Sequence, residues 1–330
     1  MTNFTGEWML SRRDILIRAG MAGAAVFARP ITTAFATAAQ PSTPVNFNVP
    51  AGACDCHTHI IQDPQKFPFL PSPAYTPETA SVAEMRSLHR ALHIERVVIV
   101  QPTFYGTNNA CTLDAIGQIG PSARGIAVIG DKTSNAELDE MHRGGIRGIR
   151  IHVDAPGPKD PAFVRRQFKA AVDRIKGRDW HVEVVASQLW EIEAMKDDLM
   201  ASATPVSFDL FGGAKPALGI HQSGFDTLLG LLRGGKVYVN VSGPYRISNQ
   251  APDYSDVVPI AKALIAANPR RIIWGSDWPH TQQIAGRPAN EATPLFQIDD
   301  GNDLNLLATW TSSAQLKLIL VENPARLYGF

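Results

Sequence analysis

Short apolar runs rich in valine and isoleucine alternate with amphipathic stretches of helical period from residue 51 onward. The apolar runs lie at residues 52–60, 96–102, 124–130, 146–153, 181–187, 205–211, 236–243 and 271–277. The stretches of helical period lie between them, at residues 77–92, 108–120, 135–145, 162–177, 188–200, 225–235 and 255–269. Apolar runs separated by helices predict parallel strands that are buried on both faces.

The number of these units decides between two α/β architectures. Eight strands that alternate with helices predict a (β/α)8 TIM-type barrel, a single domain over residues 48–330. An open, doubly wound sheet is the alternative. No GxGxxG motif follows the first run, which argues against a dinucleotide-binding fold of that kind.

The first forty residues differ in pattern from the rest of the chain. Arg12 and Arg13 precede a mildly apolar stretch, and small residues follow at 34–39, which is typical of a twin-arginine signal peptide. The stretch contains Arg18 and is too short to span a bilayer, which takes about 20 apolar residues. We therefore predict a leader over residues 1–40 and export of the folded protein to the periplasm, with a charged N-terminus on a cytoplasmic protein as the alternative.

The balance of acidic and basic side chains limits the kinds of binding partner that we expect. The 330 residues include 31 acidic and 31 basic side chains, so the formal net charge is zero. This balance predicts no surface for nucleic acid or an anionic membrane, and it leaves a small molecule as the expected partner of a monomer or small homo-oligomer.

The three cysteines are expected to be buried free thiols. Cys54 and Cys56 lie two apart on one strand, where their side chains point to the same side, and Cys111 lies in a predicted helix. No CxxC spacing occurs, so a thiolate zinc site is not expected.

Polar residues gather where the predicted strands end, which in such a barrel is where the chemistry takes place. Asp55, His57 and His59 stand two apart on the first strand and are expected to share one face, and Asp277 ends the last strand. Strand ends and loops add candidate substrate-binding residues, namely Tyr75, Tyr105, Thr107, Arg150 and Arg246.

Arginine and lysine near these strand ends predict an anionic substrate. Arg147 and Arg150 are three apart and should point to opposite faces, and Arg150 lies nearer the strand end. Guanidinium groups bind carboxylate or sulfonate through paired hydrogen bonds. Arg150 and Arg246, together with Lys215, therefore indicate an acidic ligand.

Several motifs carry a resemblance to a known family. The segments DCHTHI, YGTNNACTLDAI, ARGIAVIG, GGIRGIRIHV, SGPYRIS, IIWGSDWPH and VENPARLYGF together resemble the amidohydrolase-related branch of the metallo-dependent hydrolases. More narrowly, they resemble the 2-pyrone-4,6-dicarboxylate lactonases, the 4-sulfomuconolactone hydrolases and the enzymes that process D-galactarolactone. The resemblance runs from about residue 48 to the end of the chain and implies a barrel enzyme that opens a small anionic lactone with water.

The resemblance also implies roles for individual residues. Asp277 matches a general base that acts on the attacking water. His57 and His59 match the pair that binds a metal in most of the superfamily and that polarises the carbonyl in lactonases thought to work without one. Tyr75, Arg150 and Arg246 match positions that hold the acidic groups of the substrate, and the loop that contains Tyr105 and Thr107 matches a further contact.

Departures from the family pattern leave the metal question open. Leu210 stands where a histidine is usual, Tyr105 and Asn108 replace a histidine and an aspartate, and Asn240 replaces a lysine. His57, His59 and Asp277 could still hold one divalent metal, Zn²⁺, with Glu183 or His152 as further ligands. Catalysis without a metal is the alternative.

The expected function is a lactonase of the carboxylic-ester hydrolases, with 4-sulfomuconolactone as the favoured substrate and maleylacetate and sulfite as products of aromatic catabolism. Three alternatives remain: a hydrolase or isomerase of 2-pyrone-4,6-dicarboxylate or of a sugar-acid lactone, a decarboxylase of the same superfamily, and a barrel that binds a ligand without catalysis.

Overall fold

Eight parallel strands lie side by side in chain order in the computed structural model, which describes residues 38–154 and 159–330. The strands are β1 (Cys54–Thr58), β2 (Thr76–Pro77), β3 (Arg96–Val100), β4 (Ala123–Ala127), β5 (Ile146–His152), β6 (His181–Val185), β7 (Val206–Phe208), β8 (Val237–Asn240), β9 (Ile272–Ile273) and β10 (Ala292–Thr293). The eight-stranded sheet runs β1-β3-β4-β5-β6-β7-β8-β9, while β2 and β10 pair with each other.

Backbone hydrogen bonds join the first strand to the segment that follows the last. The amide of Cys56 donates to the carbonyl of Trp274 at 2.9 Å, and that of Asp277 donates to the carbonyl of His57 at 2.9 Å. His59 continues the ladder with a bond of 2.8 Å to Trp278. The predicted barrel and its eight strands are confirmed.

Helices cover the outside of the barrel. They are α1 (Val82–Leu92), α2 (Ala110–Ile119), α3 (Asn135–Arg143), α4 (Pro161–Ile175), α5 (Leu189–Ala201), α6 (Phe225–Arg233), α7 (Val258–Ala267), α8 (Asp300–Trp310), α9 (Ser313–Lys317) and α10 (Asn323–Tyr328). The first seven correspond to the predicted helices. The last three were not predicted. Helix α8 buries Asp300, Asp303 and Asn305 and so lacks a clear amphipathic pattern, and α9 and α10 are too short to show one.

The C-terminal helix α10 fills the lower end of the barrel. Tyr328 is fully buried and packs in one apolar cluster with Cys54, Cys56 and Tyr238 from strands β1 and β8. All three cysteines are free and buried, as predicted. This apolar cluster therefore closes the lower end of the barrel interior.

Residues 38–46 pack against the barrel. The carbonyl of Ala39 accepts a hydrogen bond from the indole of Trp278 at 3.0 Å. The hydroxyl groups of Ser42 and Thr43 each donate to Asp299 at 2.6 Å. The predicted leader falls almost entirely on residues 1–37, which lie outside the described residues. In the described parts of the chain, no helix is long and apolar enough to cross a membrane.

Candidate active site

A β-bulge in β1 decides which side chains enter the barrel. Asp55 pairs with Val97 and Thr58 pairs with Ile99, so three steps along β1 match two steps along β3. A bulge of this kind leaves one residue unpaired and changes the alternation of side chains along the strand.

The bulge separates side chains that were predicted to share one face. Asp55 turns towards helix α1, where its carboxylate lies 3.2 Å from Nε2 of His89. His57 and His59 both point into the barrel, with ring centroids 5.0 Å apart. The prediction is therefore right for the two histidines and wrong for Asp55, because strict alternation ignores the extra residue.

Asp277 faces both histidines with one oxygen and is anchored through the other. Its Oδ1 lies 3.7 Å from Nε2 of His57 and 3.7 Å from Nε2 of His59. Its Oδ2 accepts hydrogen bonds from the hydroxyl of Tyr245 at 2.7 Å and from Nε of Arg246 at 2.6 Å. The backbone of Asp277 has a φ of 64°, a conformation that costs free energy in a residue other than glycine and is typical of functional sites.

The surroundings keep Asp277 ionised. Burial favours the neutral acid, but the charges of Arg246, His57 and His59 outweigh burial and lower the pKa of Asp277 far below its usual range. An ionised carboxylate with one oxygen left facing the cavity can accept a proton from a bound water.

The backbone fixes the tautomer of His59. Its Nδ1 lies 2.8 Å from the carbonyl oxygen of Val100, which can only accept, so Nδ1 carries the hydrogen. Burial, assisted by His57 and Arg150, lowers the pKa of His59 to about 3. Nε2 of the neutral ring therefore presents a lone pair towards Asp277 and can ligate a metal or accept a hydrogen bond.

His57 has the opposite electrostatic setting. Its Nδ1 lies 3.5 Å from Oδ1 of Asp209, which is an ion-pair distance rather than a hydrogen bond. Burial disfavours the charged ring, but Asp209 and Glu183 outweigh burial and raise the pKa of His57 to about 9. Without a metal, His57 is a cation at neutral pH, and its Nε2 donates.

Glycine lets the last strand segment approach His57. A Cβ added at Gly275 would lie 2.6 Å from the Cβ of His57, closer than two carbon atoms can approach. The close approach places Asp277, two residues later, beside the histidines.

Arg150 points into the barrel, as predicted from its spacing to Arg147. Its Nη2 lies 3.1 Å from Asp209 and its Nε lies 3.5 Å from Glu183. Arg147 donates instead to the carbonyl of His142, in the last turn of α3. The interior thus contains an arginine that is paired with two buried acids.

A second layer of hydrogen bonds supports the anchor of Asp277. Nδ1 of His280 lies 3.3 Å from the hydroxyl of Tyr245, and Nε2 of His280 lies 3.0 Å from Asp300. Both His280 and Asp300 are fully buried. Second-layer partners of this kind commonly fix the orientation of the groups that react.

These side chains border a cavity of about 200 Å³ at the upper end of the barrel. The lining residues include the predicted site residues His57, His59, Tyr75, Arg150, Arg246 and Asp277. They also include Pro102, Thr103, His152, Leu210 and Thr281, of which Thr281 accepts a hydrogen bond from the hydroxyl of Tyr75 at 2.9 Å.

Two predicted substrate-binding residues lie away from this cavity. Tyr105 is buried between Phe69 and Phe104, with ring centroids 5.2 and 5.0 Å away. Thr107 is exposed, and its methyl group faces Gly130. The turn after β3 instead presents Thr103 to the cavity, because the 3₁₀ turn Thr103–Tyr105 directs successive side chains to different sides.

Glu183 and Asp209 are site residues that lie outside the predicted catalytic and substrate-binding set. Glu183 is predicted only as a possible further metal ligand, and no role is predicted for Asp209. The sequence does indicate that these two acids have partners, because an acidic residue inside an apolar run that is buried on both faces needs one. Here the partners are His57 and Arg150.

The departures from the family pattern are visible in the geometry. Leu210 lines the cavity with a φ of 49°, and Phe211 follows with a φ of 58°. Asn240 is buried, and its amide atoms have no hydrogen-bond partner among the described residues.

Within residues 38–154 and 159–330, two groups of side chains could hold a metal ion. In the first, one ligand atom each from His57, His59 and Asp277 lies within 4.8 Å of the others, which matches the predicted set. The second group is His57, Glu183 and Asp209. The guanidinium of Arg150 is already bound to that second group, and its charge opposes a further cation there.

The chain is similar to known proteins over most of its length. A family model described as "Amidohydrolase" matches residues 54–330. A 4-sulfomuconolactone hydrolase of Rhizobium radiobacter is 32% identical over 87% of this chain and 93% of its own. A 2-pyrone-4,6-dicarboxylate hydrolase of Comamonas testosteroni is 33% identical over 88% and 94%. A crystal structure from Agrobacterium tumefaciens superposes with a TM-score of 0.74 at 25% identity, over 88% of this chain and 98% of that one.

Proposed function

The chain belongs to the amidohydrolase family, and on that premise we propose that it is a hydrolase that opens a small anionic lactone with water. One observation carries the proposal. A buried carboxylate, Asp277, is held through one oxygen by Tyr245 and Arg246 and presents the other to His57 and His59, 3.7 Å away.

Asp277 is the general base of the proposed reaction. A water molecule that donates to its free oxygen Oδ1 attacks the lactone carbonyl, and the carboxylate takes the proton. The same proton is then available to the ring oxygen that leaves. In a lactone the leaving oxygen stays attached to the product, so one residue can serve both steps.

When no metal is bound, the two histidines have different roles, one as a hydrogen-bond donor and the other as an acceptor. His57, whose pKa is raised to about 9, donates from Nε2 to the carbonyl oxygen on which negative charge develops. His59, with a lone pair on Nε2, accepts a hydrogen bond from the attacking water. Donor and acceptor thus both lie 3.7 Å from Oδ1 of Asp277.

The same residues fit a zinc ion. A tetrahedral site with bonds near 2.1 Å separates its ligand atoms by about 3.4 Å, close to the 3.7 Å between Asp277 and each histidine. The carbonyl of Val100 and the carboxylate of Asp209 lie behind the two rings as supporting partners. A divalent ion bound there would polarise the carbonyl and acidify the water.

The remaining lining residues orient the substrate. Tyr75, Arg150 and Arg246 surround the space in which an acidic group would lie beside the carbonyl. Orientation of this kind contributes several of the roughly 7–11 kcal/mol available from proximity. The lactones to assay first are 4-sulfomuconolactone, 2-pyrone-4,6-dicarboxylate and sugar-acid lactones.

Replacement of the base tests the proposal. We expect Asp277→Asn to lower kcat/KM for lactone opening by roughly 10²- to 10⁴-fold, since this is the usual contribution of general-base catalysis. Asparagine tolerates the positive φ, so circular dichroism and Tm should change little. The control Asp173→Asn changes an exposed acid on α4 and should leave both rate and stability unaltered.

Three outcomes contradict the proposal: full activity of Asp277→Asn, carbon dioxide release without lactone opening, or binding without turnover of any lactone. Measurement of metal content before and after chelation, on the same preparation used for kinetics, separates the metal-bound and metal-free versions of the reaction.

Export is a separate part of the proposal and rests on the paired arginines Arg12 and Arg13. We expect the periplasmic protein to begin between residues 37 and 41. Mass spectrometry of the N-terminus from fractionated cells measures this, and an intact N-terminus on a cytoplasmic protein contradicts it.

A further inference from the structure

The carboxylate of Asp55 is fully buried behind the active site, between β1, helix α1 and the segment after β9. Its Oδ1 accepts hydrogen bonds from the backbone amides of His57 at 3.2 Å and Ser276 at 2.9 Å. Its Oδ2 accepts from the hydroxyl of Ser276 at 2.6 Å and lies 3.2 Å from Nε2 of His89. One side chain therefore connects three elements of the barrel.

The contact with His57 holds a local conformation in β1. His57 lies inside the β-bulge, where the pairing with β3 changes register. Its amide donates to the side chain two residues earlier, a local contact that aspartate makes readily. Because the bulge turns His57 into the barrel, Asp55 helps to fix the direction of a ring that faces Asp277.

The same carboxylate holds the chain on both sides of Asp277. The amide and the hydroxyl of Ser276 both donate to Asp55, and that hydroxyl accepts from the amide of Trp278 at 3.1 Å. The amide of Asp277 donates to the carbonyl of His57 at 2.9 Å. Three consecutive amides are thus bound to β1, either directly or through one hydroxyl group.

These contacts account for the backbone conformation of Asp277. Its φ of 64° is one that a residue other than glycine keeps only where the surrounding structure holds it. Tyr245 and Arg246 hold one oxygen of the side chain, whereas the anchored amides hold the backbone that carries it. Together they direct the other oxygen at His57 and His59.

We therefore infer that Asp55 is a positioning residue, which holds Asp277 through Ser276 and holds His57 through the bulge in the arrangement that the reaction requires. The inference rests on the proposed lactone hydrolysis. Asp55 acts from behind the cavity, where its oxygens are bound to these partners, and His89 supports it from helix α1.

Removal of the carboxylate tests the inference. Asp55→Ala should lower kcat per folded molecule for 4-sulfomuconolactone or 2-pyrone-4,6-dicarboxylate by roughly 100-fold, since a shift of about 1 Å in a reacting group costs this much. KM should change little, because the side chains that orient the substrate lie on other strands and loops. Asp198→Ala is the matched control. It removes an acid that accepts two hydrogen bonds from Arg165 on the outer surface, and it should leave kcat and KM unchanged.

Two further variants separate positioning from charge and from folding. Asp55→Asn removes the charge but keeps an oxygen for the amides of His57 and Ser276, so it should restore most of the kcat that alanine loses. Ser276→Ala removes only the hydroxyl that links Asp55 to Trp278 and should lower kcat by roughly tenfold. It provides the same test if Asp55→Ala does not fold.

Crystal structures of the wild type and these variants give a readout that does not depend on activity. In Asp55→Ala and Ser276→Ala we expect φ of Asp277 to leave the left-handed region. The distance from its Oδ1 to Nε2 of His57 or His59, 3.7 Å in each case, should change by about 1 Å or more.

The outcomes separate this inference from the proposed function. An unchanged kcat per folded molecule in Asp55→Ala, or in Ser276→Ala where the former does not fold, overturns the inference and leaves the lactonase intact. A rise in KM without a fall in kcat also overturns it, as does an Asp55→Asn variant as defective as alanine. If the wild type opens no lactone, the lactonase proposal fails, and the crystal structures then decide. An unmoved Asp277 overturns the inference, and a displaced one supports it.

Discussion

The two ends of the barrel interior differ in the chemical character of their side chains, although the same strands form both ends. At the lower end Tyr328, Tyr238, Cys54 and Cys56 pack against each other in a closed apolar cluster. At the upper end the interior holds ionisable groups, several with buried atoms that lack a hydrogen-bond partner among the described residues, including His57, Glu183 and Asp209.

The lower end therefore contributes mainly to the stability of the barrel, and the upper end contributes mainly to its reactivity. Burial of apolar surface stabilises the lower end at little electrostatic cost. The upper end keeps acids, an arginine and histidines close together and accepts a residue with positive φ at Asp277. Variants of the lower end should therefore change stability, and variants of the upper end should change catalysis.

Tyr328→Ala should give the largest effect at the lower end. Truncation of a fully buried aromatic side chain in a core costs about 3–5 kcal/mol of unfolding free energy. Denaturant unfolding measures the loss, and kcat/KM per folded molecule should stay within about threefold of wild type. Tyr328→Phe, which removes only a hydroxyl without a partner among the described residues, should be nearly neutral. A catalytic defect larger than the loss of folded protein would show that the lower end also contributes to catalysis, contrary to this prediction.

His181 should make the lower end sensitive to acid. Burial lowers its pKa to about 4, whereas an unfolded histidine titrates near 6.5. Between these values the unfolded chain binds more protons, so the free energy of unfolding falls as pH decreases from about 6.5 to 4, by on the order of 3 kcal/mol.

His181→Asn tests that contribution. The amide nitrogen of asparagine matches the position of Nδ1 and can still donate to the carbonyl of Arg147, as Nδ1 of His181 does at 3.0 Å, but it does not titrate. The unfolding free energy of this variant should depend less steeply on pH than that of wild type over this window. Equal slopes would show that His181 does not remain neutral in the folded protein.

Tyr245→Phe should give the smallest of these effects and should fall on catalysis. The variant loses the hydrogen bond to Asp277 and the link to His280, and supporting groups of this kind are worth roughly 10- to 100-fold in activity. Its unfolding free energy should fall by roughly 1.5–3 kcal/mol, the usual contribution of a hydrogen bond to a charged group. Tyr238→Phe, a tyrosine of the lower cluster, is the matched control, and a similar loss of kcat/KM there would blur the distinction.

Sequence reasoning predicted the fold well, because the strands of this barrel are buried on both faces. Valine and isoleucine fill runs such as Arg96–Val100, and the amphipathic segments between them form the expected helices. The helices after residue 300 were missed because α8 buries polar side chains, including Asp300, whose partner His280 is distant in sequence. Contacts between residues that are distant in the sequence stabilise α8, and the local sequence pattern therefore does not predict this helix.

The site was predicted where strand ends carry unusual residues. His57, His59 and Asp277 meet as expected, and Arg150 enters the barrel while Arg147 does not. The bulge that redirects Asp55 depends on pairing with β3, which the local sequence does not reveal. The burial of Tyr105 depends in part on Phe69, which comes from another segment, and the local sequence does not reveal this contact either.

The closure of the lower end has a consequence for biogenesis. Tyr328 packs in one cluster with Cys54 of the first strand. The cluster is therefore complete only when the first-synthesised and the last-synthesised parts of the barrel are both present. A ribosome-bound chain that stops short of helix α10 leaves that cluster open, and contacts of such long sequence separation form slowly. The barrel therefore matures only after residue 328 has left the ribosome, and nascent chains should need protection from aggregation until then.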